Sequence, residues 1–142
     1  MSERNFDVVA LGELLIDFTE NGVSGQGNSL FEANPGGAPC NVLAMLKKLG
    51  KSCAFIGKVG DDMFGAQLRA VAEEAGICMD ALAVDPGVRT TLAFVKTFEN
   101  GDRDFSFYRD PGAPAAAIPL SGKQHKQPKP LEQNYRGPAA RL

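Results

Sequence analysis

The chain of 142 residues has no tryptophan, a single histidine and three cysteines. No apolar run approaches the length needed to cross a bilayer. Cys40, Cys53 and Cys78 are odd in number and lack CxxC spacing. They therefore give neither a disulfide framework nor a zinc site, and read as reduced thiols of a cytoplasmic protein. The lone histidine, His125, sits in the C-terminal segment. A Ser-His-Asp arrangement within the folded part is thus excluded. The formal net charge of −2 is too small to argue for nucleic acid or a membrane surface as a partner. The start, MSERNFD, is charged and is followed by no apolar stretch of the signal-peptide kind.

An apolar content of 44% is enough for a packed core in one domain. The charge is unevenly placed. From Pro119 to Leu142 there are five basic residues (Lys123, Lys126, Lys129, Arg136, Arg141) against Glu132 alone, which leaves −6 on residues 1–118.

Local pattern predicts an alternation of strands and helices. Phe6–Leu11 reads as a buried strand ended by Gly12, and Leu14–Phe18 is a second apolar run interrupted by Asp17. Asn21–Ser29, rich in Gly, Asn and Ser, reads as loop, and Asn34–Pro39 holds too many breakers for a helix interior. Helical spacing of Val42, Ala44, Met45 and Leu49 predicts a helix over Asn41–Leu49, stopped by Gly50. Cys53–Val59 reads as a strand. Met63–Ala75 reads as a helix with Phe64, Leu68, Val71 and Ala75 on one stripe, capped by Asp61 or Asp62 and stopped by Gly76. That order is the rhythm of a layered α/β fold with a mainly parallel sheet. Thr90–Phe98 and Phe105–Tyr108 are β-rich and flank Asn100-Gly101, a hairpin signal that suggests a lid-like appendage. Ala113–Pro119 and the polar Ser121–Leu142 have no usable periodicity and are expected to be disordered.

The segment Gly36-Gly37-Ala38-Pro39-Cys40-Asn41 holds the most chemistry. Paired glycines let a backbone come close to a ligand. A following helix turns unpaired N–H groups toward the same place, and the Asn41 carboxamide offers a donor and an acceptor. Those features suit a polyhydroxylated ligand, but they equally suit a tight strand-to-helix turn with no ligand. Asp17, inside an apolar run, must be paired, hydrogen-bonded or facing a ligand. It could accept from adjacent hydroxyls or serve as a local cap or ion-pair partner. No G-x-x-x-x-G-K-[ST] loop occurs, and Gly25-Gln26-Gly27 lacks the third glycine of a dinucleotide fingerprint.

Gly36-Gly-Ala-Pro-Cys-Asn41 with Gly50 and Gly60 resembles the first signature of the PfkB-type carbohydrate kinases. The flanking segments Gly12–Asp17, Gly57–Asp62 with Gly65, and Phe107–Ala113 match in order, in the form of the fructokinase branch. Leu43 departs from the small residue usual in the signature. The resemblance implies a ribokinase-like, Rossmann-like α/β fold with a small β-lid hairpin. The family-like domain spans residues 1–113, and 114–142 form a tail outside it. The implied activity is ATP-dependent phosphorylation of fructose or a related hexose at a primary hydroxyl, with ATP and Mg²⁺ as cofactors. By the same resemblance Asp17, Gly36, Gly37 and Asn41 bind the sugar. Phe105 and Phe107 lie in the lid, and Arg109 can face the substrate and its phosphate. The plainer reading of these last three is sheet packing for the phenylalanines and a surface ion pair for Arg109.

The family's second signature, Asp-Thr-x-Gly-Ala-Gly-Asp, occurs nowhere in the 142 residues. In relatives it supplies an anion hole and the catalytic aspartate, so no catalytic residue is assigned. A positioned base is worth about 10²–10⁴-fold, and one oxyanion donor about 10²–10³-fold. The chain is therefore expected to be truncated and inactive alone. A frame shift would explain its basic tail, which lacks the dense charge block of a binding arm. An open sheet edge or the lid would favour a dimer or aggregation.

Overall fold

The computed structural model describes residues 5–98 and 100–109. The segment expected to be disordered lies outside the described residues. Nine elements follow in chain order: β1 (Val8–Leu11), β2 (Leu15–Val23), β3 (Ser29–Gly36), α1 (Ala38–Lys48), β4 (Cys53–Gly60), α2 (Met63–Glu74), β5 (Cys78–Asp85), β6 (Thr91–Thr97) and β7 (Arg103–Tyr108).

They form two sheets. The first has the order β1-β4-β5 and is wholly parallel. Cys53–Gly60 is its central strand and the most buried. It joins β5 through α2, as a parallel neighbour must be joined, by a helical crossover. The core lies between this sheet and the helices. Phe55, Val59, Leu43 and Ile16 are fully buried, with Leu68, Ala72, Ile77 and Met79 nearly so. Each such large side chain contributes about 1.5–3 kcal/mol by leaving water. The nearly buried Lys58 is paired with Asp85 at 3.2 Å, as a charge in that position requires.

The second sheet has four strands in the order β3-β2-β6-β7. Two antiparallel hairpins, β2–β3 and β6–β7, are joined by a parallel pairing of Leu15–Thr19 with Thr91–Val95. The expected β6–β7 hairpin is present, with Gly101 in the turn at φ 87°. It is half of a larger sheet rather than an isolated appendage.

Several local expectations are revised. The stretch read as loop at Asn21–Ser29 is strand as far as Val23, and only residues 24–28 turn. Asn34, Pro35 and Gly36 close β3, because an edge strand tolerates the missing N–H of Pro35. β5 carries no clean alternation and was absent from the sequence reading. β1 forms, but as an edge strand with alternating burial, so Val9 and Leu11 are exposed. α1 begins three residues earlier than expected, with Pro39 in its first turn where no N–H is needed. Its inward stripe is Cys40, Leu43 and Ala44, while Val42 and Met45 are each 58% exposed. Leu43, the departure from the signature, is thus a core residue. Asp62, not Asp61, caps α2, and Gly50 and Gly76 follow the two helices at φ 78°.

Candidate sugar-binding face

Directly opposed residues on neighbouring strands share a face. The register therefore shows what meets on the four-stranded sheet. Asp17 opposes Asn34 on β3 and Ala93 on β6, and Ala93 opposes Phe107 on β7. One row above, Thr19 opposes Glu32 and Val95, and Val95 opposes Phe105. One row below, Leu15 opposes Gly36 and Thr91. Asp17, Gly36, Phe105 and Phe107 thus share one face, and Arg109 continues the alternation of β7. The reverse face carries Phe18, Phe31, Phe94 and Tyr108, whose rings stack or meet edge-on at 5.0–5.7 Å. Phe64 of α2 meets Phe18 edge-on. That aromatic seam ties the sheet to the helical layer and leaves the Asp17 face outward.

Asp17 is half-buried and makes no hydrogen bond or ion pair with any described residue. Partial burial without a compensating donor pushes its carboxyl above the usual range. The glycine pair explains how the carboxylate fits. A Cβ on Gly36 would collide with Asp17 Oδ2, and one on Gly37 would collide with the carbonyl oxygen of Glu13. Gly37 also holds φ 120°, a conformation that glycine alone adopts without strain. In the structure, then, the paired glycines admit other parts of the chain rather than leaving an empty cradle. They bring the β3–α1 junction against Asp17. No side chain caps α1, so the first-turn N–H groups of Ala38 and Cys40 have no partner within the helix. Asn41 is exposed four residues beyond Gly37, to whose carbonyl its N–H donates at 3.1 Å. Its carboxamide makes no hydrogen bond to Asp17.

On β7 the rings of Phe105 and Phe107 lie parallel, 6.1 Å apart, and both are about half exposed. They are not packed into the core. The Arg109 guanidinium lies over Phe107, its carbon 4.3 Å from the ring centre. It also pairs with Glu13 Oε2 at 3.2 Å. Glu13 Oε1 in turn accepts from the buried Thr91 hydroxyl at 2.6 Å. Arg109 thus makes the ion pair of the plainer reading, with Glu13 as its acid. Glu13, Thr91, Thr19 and Asn34 join the face without having been singled out in the sequence. Asn34 donates to Glu32 O at 3.3 Å and lies 3.5 Å from the Thr19 hydroxyl. The alternation of Phe31, Ala33 and Pro35 against Glu32 and Asn34 was the available signal, hidden by the breakers beside it.

Asp62 closes the Gly57–Asp62 segment, and its work is local. Its Oδ1 accepts from the N–H groups of Phe64 and Gly65 and from the Thr90 hydroxyl at 2.7–3.1 Å, and its Oδ2 accepts from Thr90 N–H at 2.9 Å. Burial alone would raise its carboxyl. The donors of Thr90, Gly65 and Phe64 outweigh that and hold it below the usual range. With the α2 N-terminus so occupied, it is not open to a phosphate. Among the described residues no group of three or more His, Cys, Asp or Glu gathers as a metal site would need. No disulfide joins the three cysteines, and no described helix is long and apolar enough to cross a membrane.

The chain is similar in sequence and in structure to known carbohydrate kinases. Residues 5–133 match the pfkB family carbohydrate kinase profile. The chain is 47% identical over 108 residues to a probable chloroplastic fructokinase-6 of Arabidopsis thaliana, covering 75% of this chain and 28% of that protein. It is 45% identical over 115 residues to fructokinase-1 of Oryza sativa subsp. japonica, covering 80% and 36%. Among solved structures, fructokinase from Xylella fastidiosa superposes with a TM-score of 0.69 at 38% identity, over 75% of this chain and 33% of that one. The same enzyme with bound ATP gives 0.68. The chain spans about a third of the length of the relatives it matches. With the match covering most of its length and the ribokinase-like architecture in place, the chain belongs to the pfkB family of carbohydrate kinases.

Proposed function

We propose that this chain forms the sugar-binding part of a fructokinase-type enzyme. The whole enzyme would transfer the terminal phosphoryl group of ATP, with Mg²⁺, to a primary hydroxyl of fructose. The observation that carries the reading is the unpartnered, half-buried Asp17 carboxylate on one face with Phe105, Phe107 and Arg109. A carboxylate accepts from adjacent hydroxyls with charge-assisted strength. Half-exposed rings suit the C–H faces of a sugar. Gly36 and Gly37 place the first turn of α1, with Asn41, beyond the carboxylate. The fructokinase assignment within the family rests on the Gly-Ala-Pro form of the loop and on relatives named fructokinase.

The catalytic segment of the family is absent from these 142 residues, and no step through ATP is assigned to the described residues. On its own the chain would therefore bind sugar without turnover, as a binding module, its domain ending near residue 113. Reduced thiols suit the cytosol. β7, an edge strand exposed along its whole length, would serve a dimer contact.

Two measurements on the purified chain test this. Calorimetry with fructose is expected to show binding that Asp17→Asn removes. A coupled assay for ADP release with fructose, ATP and Mg²⁺ is expected to show no turnover. Turnover that Asp17→Asn abolishes would overturn the account of an inactive chain. Absence of fructose binding by a folded chain would overturn the sugar-binding reading.

A further inference from the structure

We propose that Glu13 sets the charge this face shows to its ligand: by engaging Arg109 it makes the site take a neutral sugar and reject a sugar acid or a sugar phosphate. The inference rests on the sugar-binding reading and adds the ligand's charge class to it. Glu13 lies in the link between β1 and β2, and its two oxygens have separate tasks. Oε1 accepts from Thr91, whose side chain is buried on the inner strand β6. Oε2 meets Arg109 Nη2. One oxygen is thus anchored to a fixed strand while the other holds the guanidinium, whose flat side rests on Phe107. Arginine is the side chain best shaped to capture a carboxylate or phosphate in a forked pair, and here one of its nitrogens, Nη2, is already held by Glu13.

The charge count of the face points the same way. Three carboxylates (Glu13, Asp17, Glu32) stand against two guanidinium groups (Arg103, Arg109), a sum of −1. Arg103 opposes Thr97 at the far end of the sheet. Around Asp17, with Arg109 matched by Glu13, the uncompensated charge is negative. Hydroxyl donors are welcome there and anions are repelled.

The test compares wild type, Glu13→Gln, Arg109→Gln and the double variant by calorimetry with fructose and with gluconate, a sugar acid. It also follows the Arg109 Nε–Hε signal by NMR, which needs no sugar. Glu13→Gln keeps an oxygen acceptor for Thr91, removes one negative charge and frees the guanidinium. It is expected to raise gluconate affinity roughly tenfold and to move the Arg109 signal toward that of a free arginine. The double variant is expected to lose the gain. Arg109→Gln alone is expected to leave gluconate binding as weak as in wild type. Wild type that binds gluconate as tightly as fructose would overturn the proposal. So would Glu13→Gln that changes neither gluconate affinity nor the Arg109 signal. Gluconate gain in Glu13→Gln without fructose binding by any variant would sink the sugar reading and leave the charge clamp standing.

Discussion

The parallel sheet with its helices and the four-stranded sheet beside it use apolar residues in opposite ways. In the first, β4 is buried along nearly its whole length, and Phe55, Val59 and Leu43 are fully enclosed. In the second, β7 is exposed along its whole length and presents Phe105 and Phe107 about half open. The second sheet joins the first through the shared core, where Ile16 of β2 is fully enclosed, and through the edge-on contact of Phe18 with Phe64, while its other face carries the open rings. Enclosed apolar side chains of β4 and α1 thus serve stability, whereas the residues proposed to bind sugar lie on the open face of the second sheet. Loss of a phenylalanine should mean different things on the two sides.

That contrast is broken most directly by Phe55→Ala. It is expected to cost about 3–5 kcal/mol in urea unfolding, whereas Phe105→Ala should shift stability by less than about 1 kcal/mol and weaken fructose binding in calorimetry. Equal stability losses for the two would erase the distinction. Next in size is Asp62→Ala, which removes the α2 cap and leaves the Thr90 N–H short of an acceptor. A loss of about 1–2 kcal/mol is expected. Because the Asp62 carboxyl is held below its usual range, its contribution is complete above the unfolded-state value near 3.8 and falls away as the pH drops through the lowered folded-state value. Acid unfolding of wild type and Asp62→Ala should therefore converge at low pH.

Asp17→Asn has the opposite sign. Burial raises the Asp17 carboxyl, so its charged form opposes folding at neutral pH and the opposition is relieved as the pH falls through the raised value. Removing the charge is expected to stabilise the chain by less than about 1 kcal/mol, since Asp17 is only partly buried, while fructose binding is lost. A site residue whose removal both stabilises and disables would sharpen the comparison. The smallest effect belongs to the exposed Arg69–Glu73 pair on α2, 2.9 Å apart. Glu73→Gln should cost about 0.3–0.5 kcal/mol, and thermal melts should show the difference vanishing in high salt.

The sequence showed the helical layer well, because its signals are local: glycine stops, the acidic cap of α2 and the apolar run of β4. It misplaced the inward stripe of α1, since Val42 and Met45 look as apolar as Leu43 and only packing separates them. β3 and β5 were missed, β3 because Asn34, Pro35 and Gly36 read as breakers and its pairing with β2 is set by the turn at 24–28. In the candidate site, Asp17, the glycine pair, the β7 phenylalanines and Arg109 were nominated through the family motif, and the register puts Asp17, Gly36, Phe105 and Phe107 on one face. Glu13 and Thr91 were not. Their role depends on β6 lying beside β2, a pairing of residues far apart in the chain that no local pattern encodes.

The same β2–β6 pairing bears on the order of folding. Each hairpin of the four-stranded sheet can close locally on the microsecond scale. Leu15 meets Thr91 only after the whole stretch from α1 to β5 has been drawn in, and long-range parallel pairing is slow. Asp17 and Phe107 sit on opposite sides of that seam. Sugar affinity should therefore emerge late in refolding, after the helical signal is complete, so that bound fructose reports on the finished topology rather than on either hairpin.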